Sequence, residues 1–217
     1  MNQTESLIRI DVEEELQRII AQLDRLQDQV AAPNLLKNAL NATARKVRKQ
    51  IVKDAKGQYA IKDTGILKDE KQGAPKVLTA TVASMSAAVR SRGPMQDIMA
   101  FMTRPNQGTG AAAAQVLVSG GMKPLEKGNL KAFVTTFASG HTAIVQRDPP
   151  KQYGSGRSAR AGRYGANADM TRIKKLLSPA VPFMLGNETV RSQAEALAYE
   201  TLQAEIDKRI AKVLGKA

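Results

Sequence analysis

The chain has 217 residues and carries 33 Lys and Arg against 20 Asp and Glu, a net charge of +13 and a pI near 10.1. It has no Cys and one His, which excludes disulfides and cysteine-ligated metal and leaves His141 as the single candidate for histidine chemistry. Aromatic residues make up 4% and Trp is absent, so the core must be built from Leu, Ile, Val, Ala and Met and is lean for this length.

The polar, acidic start has no basic region before an apolar stretch, and no apolar run approaches the roughly 20 residues of a membrane span. The expectation is a soluble protein made in the cytoplasm, with no membrane partner. The charge surplus bears on attraction to polyanions, not on fold. Its plain alternative is a solvated lysine-rich face.

Residues 7–11 offer Leu7, Ile8 and Ile10 as a short strand. Asp11 can then cap a helix with Glu13, Glu14 and Glu15 in its first turn, where the helix dipole favours anions. Leu16, Ile19, Ile20, Leu23, Leu26 and Val30 repeat at three and four, which predicts helix over 12–30. Pro33 ends that helix and opens a second over 34–56, stopping at Gly57. The second stripe is Leu36, Leu40, Ala44, Val47 and Ile51. Its other faces carry Lys37, Arg45, Lys46, Arg48, Lys49, Lys53 and Lys56 against Asp54 alone. This basic amphipathic helix reads as a contact for nucleic acid or an acidic partner, or as a solvated outer face, since no aromatic interleaves for base stacking.

A polar segment over 63–70 predicts one or two helical turns from Asp63 or Thr64, followed by a turn at Gly73-Ala74-Pro75. Residues 77–83 and 87–90 read as a hairpin across Met85-Ser86. Met95, Ile98, Met99, Phe101 and Met102 form a methionine-rich patch, either gap-filling core or an adaptable interface. Residues 115–118 return to a β pattern, although the alanines before them could equally begin a helical turn.

The most β-prone stretch is 131–147. Phe133, Thr135 and Phe137 share one face, and Val134, Thr136 and Ala138 the other. Ser139-Gly140-His141 breaks the run before it resumes through Ile144 and Val145. A period of two cut by Gly predicts a β-hairpin with His141 at its tip, forming the inner sheet.

Residues 148–171 leave almost nothing to bury: Pro149-Pro150, four Gly, and Arg157, Arg160 and Arg163 at intervals of three beside Tyr153 and Tyr164. They read as a flexible basic arm that either grips a polyanion or is a tolerated insertion. Beyond Pro179 and Pro182, Asn187 is a fair N-cap for a last helix over 188–214. Val190, Ala194, Leu197, Leu202, Ile206, Ile210 and Val213 mark its buried side; Glu195, Glu200, Glu205, Asp207 and Lys208 mark its wet side.

No catalytic constellation stands out. There is no GxxxxGK[ST] loop, and His141 has no carboxylate or Ser at a recognisable spacing. Asp63, Asp69 and Glu70 could be called an acidic cluster, and a hydrolase or nuclease acting with metal through them is a further rival reading. The expectation is no enzyme, no cofactor and no metal.

Three short stretches, taken in order, resemble the bacteriophage minor tail protein Z family, tail completion proteins of long-tailed phages and prophages. Residues 35–48 are similar to its helix Ala-Leu-Asn-x-Thr-Ala-x-x-x-Arg. Residues 132–147 are similar to its hairpin Phe-x-x-x-Met-x-x-Gly-His-x-x-Val-x-x-Arg, and 178–185 to its Gly-Pro-Ser-Val-Pro before the final helix. The resemblance spans roughly Leu7 to Leu214. Ser178 stands where the family has Gly, and the arm after Pro150 is longer than the family's, so no role is carried over to it. The resemblance implies a structural virion protein at the head-proximal end of the tail. It would act as a ring subunit, six-fold by analogy, touching itself, the tail terminator, other tail and neck proteins, and phage DNA non-specifically. A stand-alone, non-specific nucleic-acid-binding protein is the alternative.

The fold expected is one α+β domain over 1–217. A small, mostly antiparallel sheet packs against two N-terminal helices and a long C-terminal helix, with the flexible basic Gly/Arg-rich arm inserted at about 148–171. The residues expected to meet DNA or an acidic partner are Arg157, Arg160, Arg163, Arg172, Lys174 and Lys175, then Arg45, Lys49 and Lys53.

Overall fold

The computed structural model describes residues 4–10, 32–105, 110–152 and 171–214. The helix expected over 12–30 and the arm residues Arg157, Arg160 and Arg163 lie outside the described residues. The chain is mixed α+β, with its antiparallel strands spread over several small sheets. It divides into two compact units: Met1–Gln58 with Thr64–Met95 and Pro179–Ala217, and Tyr59–Asp63 with Gln96–Ser178. Among the described residues no helix is long and apolar enough to cross a membrane.

In the first unit, β1 (Thr4–Ile10), β2 (Lys76–Leu78) and β3 (Ala87–Gly93) form a sheet of order β1-β3-β2. Both pairings are antiparallel, with Ile8 and Val77 each opposite Val89. The hairpin expected over 77–90 is therefore present, but β2 stops early. The N–H of Ala80 donates to Asn41 Oδ1 at 2.7 Å and its carbonyl accepts from Asn41 Nδ2 at 3.2 Å, so a side chain takes the groups a longer ladder would use.

Helix α1 (Ala32–Gln58) buries the stripe read from its spacing: Leu36, Leu40, Ala44, Val47 and Ile51 are all at most 1% exposed. It runs past the expected stop at Gly57. That glycine has open space around it and no breaker follows it. The intrinsic penalty of about 1 kcal/mol is too small to end a packed helix. Residues 181–185, where the sequence pattern shows no element, form α2 (Val181–Leu185), a short helix with Pro182 in its first turn. Helix α3 (Glu188–Leu214) has the predicted bounds, and Asn187 Oδ1 caps it by accepting from the Thr189 N–H at 3.1 Å. Val190, Ala194, Leu202 and Ile206 are buried as expected. Glu205, expected on the wet side, is only 9% exposed.

The backbones of β3 and the preceding segment nearly touch. A Cβ on Gly93 would lie 2.4 Å from the Gln72 carbonyl oxygen and 2.7 Å from Gly73 Cα. Gly73 itself has a φ of +102°, a conformation open to glycine at little penalty.

The second unit contains β4 (Gln96–Asp97), β5 (Met102–Arg104), β6 (Gly110–Ala111), β7 (Ala113–Gln115), β8 (Lys123–Pro124), β9 (Glu126–Lys127) and β10 (Leu130–Lys131). It continues with β11 (Phe133–Thr136), β12 (Thr142–Gln152), β13 (Thr171–Lys175) and β14 (Leu177–Ser178). The alanine-rich stretch is thus extended, not helical, and Val118 opens a short 3-10 turn after it. The predicted hairpin forms the two inner strands of a sheet of order β13-β12-β11-β6. Its register sets Phe133 against Val145 and Thr136 against Thr142. Ile98, Ala112, Ala114, Ala132, Val134 and Ile144 make this unit's core, with Met99 packed against it. Of the methionine-rich patch, Ile98 and Phe101 are buried and Met99 packs against the core, while Met95 and Met102 are exposed.

The limits of the arm need correction. Residues 148–152 and Thr171, expected to be flexible, are paired strand: Asp148 lies opposite Arg172 and Gln152 opposite Thr171. The register shifts between Asp148 and Gln152, where Pro149-Pro150 lie, and a bulge tolerates the missing N–H groups of proline.

Candidate functional site

Short motifs mark candidate sites only if their side chains face outward. In the helix motif, Asn41 clamps Ala80, Thr43 is fully buried, and Arg48 Nε donates to the Pro75 carbonyl at 2.8 Å. These side chains hold the backbone after α1 in place. In the third motif Val181, Pro182, Met184 and Leu185 are buried, whereas Phe183 is 59% exposed.

The hairpin motif faces both ways: Ala132, Val134 and Ile144 are core, and Phe137 and His141 at its tip are exposed. Gly140 takes a φ of +80° in the turn, the Phe137 N–H donates to the His141 carbonyl at 2.9 Å, and the two rings stack with centroids 6.3 Å apart. Arg147 places its guanidinium 5.6 Å from the Phe133 ring centroid, a cation–π contact. His141 is not without a carboxylate. Asp97 Oδ2 lies 4.0 Å from His141 Nε2 and 2.6 Å from Lys175 Nζ, while Lys175 Nζ is 3.3 Å from the same ring nitrogen. Asp97 also accepts from the Met99 N–H at 2.9 Å. The carboxylate is therefore engaged by a cation and a backbone donor, an arrangement that braces the tip.

The other predicted cations separate. On β13, Arg172 and Lys174 share one face and Lys175 points to the other, toward Asp97. Arg45, Lys49 and Lys53 form an exposed stripe one helical turn apart on α1. Of the acidic trio, Asp69 caps a 3-10 turn through the Lys71 N–H and Glu70 pairs with Lys76 at 2.7 Å. Among the described residues no group of three or more His, Asp or Glu side chains could hold a metal ion. Lys62 donates to Thr103 Oγ1 at 2.7 Å, and desolvation lowers its pKa.

A second concentration of charge lies where α1 and α3 run antiparallel. Lys46 Nζ reaches Glu205 Oε1 at 3.1 Å, Arg209 Nη1 bonds Glu205 Oε2, and Arg209 Nη2 donates to the Asn38 carbonyl at 3.2 Å. The hydrogen bonds from Lys46 and Arg209 hold the Glu205 carboxyl below the usual carboxylate range against the opposing effect of burial. Beside this cluster a groove of about 630 Å³ opens between the N-terminal half of α1 and the C-terminal end of α3. Residue spacing showed Lys208 only as a wet-side residue and gave no sign of this groove, since its walls are more than 150 residues apart in the chain. No family model, curated protein or solved structure matches the chain.

Proposed function

We propose that the chain is a structural subunit of a long-tailed phage particle, acting at the head-proximal end of the tail in tail completion. It forms a closed ring, with six copies the expected number, around the DNA channel. The reading is carried by the order and spacing of the three motifs at 35–48, 132–147 and 178–185. It is supported by what their side chains do: Asn41 and Arg48 bind backbone and Phe137 covers His141, as suits building material. In a ring each subunit meets its neighbour through two different faces, so a lean core is completed by repeated heterologous contacts. The protein is then neither an enzyme nor a cofactor carrier, and its place is the virion. Its partners are its own copies, the tail terminator, neighbouring neck and tail proteins, and DNA.

The alternative, a stand-alone nucleic-acid-binding protein, draws on the exposed Arg45, Lys49 and Lys53 stripe. Deleting the gene from the phage or prophage that encodes it separates the two. The ring reading expects heads and tails that accumulate unjoined and are rescued by the chain supplied in trans. Normal infectious particles without the chain overturn it.

A further inference from the structure

The surplus charge of the chain is not evenly available. Lys175 is held by Asp97, Lys76 by Glu70, Arg90 by Glu5 at 2.8 Å, and Arg191 by Glu195 at 2.7 Å. In the groove between α1 and α3 the position is reversed. Among its described lining residues the one carboxylate, Glu205, is already engaged by Lys46 and Arg209. Arg45, Lys208 and Lys212 also line it and have no ion-pair or hydrogen-bond partner among the described residues. Lys208 and Lys212 stand one turn apart on α3, about 6 Å between their Cβ atoms, with Arg45 across from them on α1.

The helix ends do not explain a charged site here. The positive N-terminal end of α1 and the negative C-terminal end of α3 meet at the same place and largely offset each other. The attraction is therefore a property of the side chains, supplemented by Asn34 and Asn38. None of the described lining residues is aromatic, so none of them can stack on an unpaired base. Leu35, Ala42 and Val213 are the apolar side chains among the described lining residues.

We infer that this groove binds the phosphodiester backbone of duplex nucleic acid, without sequence preference, through Arg45, Lys208 and Lys212. The inference rests on the ring reading for its partner and deepens it by naming the contact surface. Neutralising phosphates with these three cations releases condensed counterions, so the contact is strongly salt-dependent.

The test uses the full chain and a fluorescently labelled random-sequence DNA duplex, with affinity measured by anisotropy across a salt series. The variant Arg45→Gln/Lys208→Gln/Lys212→Gln is compared with a charge-matched control, Lys68→Gln/Lys71→Gln/Lys127→Gln, altered at exposed sites outside the groove. Circular dichroism establishes that both variants fold. At about 50 mM salt the groove variant should bind at least roughly tenfold more weakly than the control, and its log–log salt slope should shrink by about 2 to 3. Equal losses in the two variants, or no binding by the unaltered chain, overturn the inference. So does binding of polyglutamate, but not of DNA, through the same three side chains. A groove variant that binds normally removes the groove and leaves the deletion phenotype standing. Normal particles without the chain remove the ring reading and leave the measured salt slopes as they are.

Discussion

The helix-and-sheet unit and the hairpin unit give the polar and aromatic side chains of their motifs different partners. In the first they hold backbone: Asn41 on Ala80, Arg48 on Pro75. In the second they hold one another: Phe137 on His141, Arg147 over Phe133. Charge follows the same division. At the hairpin tip the cation Lys175 has its anion, whereas among the described residues lining the groove of α1 and α3 the one anion is engaged and Arg45, Lys208 and Lys212 remain. The lesson is that a motif or a charge run acquires a role only through the element that faces it, which composition does not disclose.

That contrast can be broken most severely at Gly93. A Gly93→Ala Cβ would drive into the Gln72 carbonyl and Gly73 Cα, both backbone. The expected loss is about 3 kcal/mol or more, read as a shifted denaturation midpoint or as failure to fold. A variant of wild-type stability would show that this close approach is not needed.

Glu205→Gln comes next, with a loss of about 2 kcal/mol, because Lys46 and Arg209 lose an ionised, largely buried acceptor. The pH dependence has a definite sign. The folded-state pKa of Glu205 is lowered, so its contribution is complete above the ordinary carboxyl range and disappears as pH falls through the lowered one. The Gln variant should therefore show a flatter stability profile in acid than the wild type. Parallel profiles would contradict the assignment.

Asn41→Ala leaves the Ala80 N–H and carbonyl without their side-chain partner, for an expected loss of about 1.5 kcal/mol by denaturant titration. The smallest effect belongs to the tip. His141→Ala removes an exposed ring stacked on an exposed Phe137, and stability should stay within about 0.5 kcal/mol. A larger loss would move the hairpin motif into the load-carrying class and dissolve the contrast.

Much of this architecture was legible because periodicity, caps and turns are local. The start and run of α3 follow from Asn187 and the three-four spacing, and the β11–β12 register from the period of two around Gly140. What escaped depended on partners distant in sequence. Glu205 looked exposed because its carboxylate interrupts no stripe, and only Lys46 across the helix pair explains its burial. His141 looked isolated because Asp97 and Lys175 approach it from different strands. Pro149-Pro150 read as the start of an arm, yet β13 supplies a neighbour whose shifted register tolerates both prolines. The groove was hardest to read, because concavity is a relation between two helices and neither sequence segment carries it alone.

The most direct measurement of the central claim is the position and copy number of this chain in purified particles, seen by electron microscopy at subunit resolution. The account predicts a closed ring of identical copies at the head-proximal end of the tail. Particles that join head to tail with the chain absent, or copies scattered without rotational order, would contradict it.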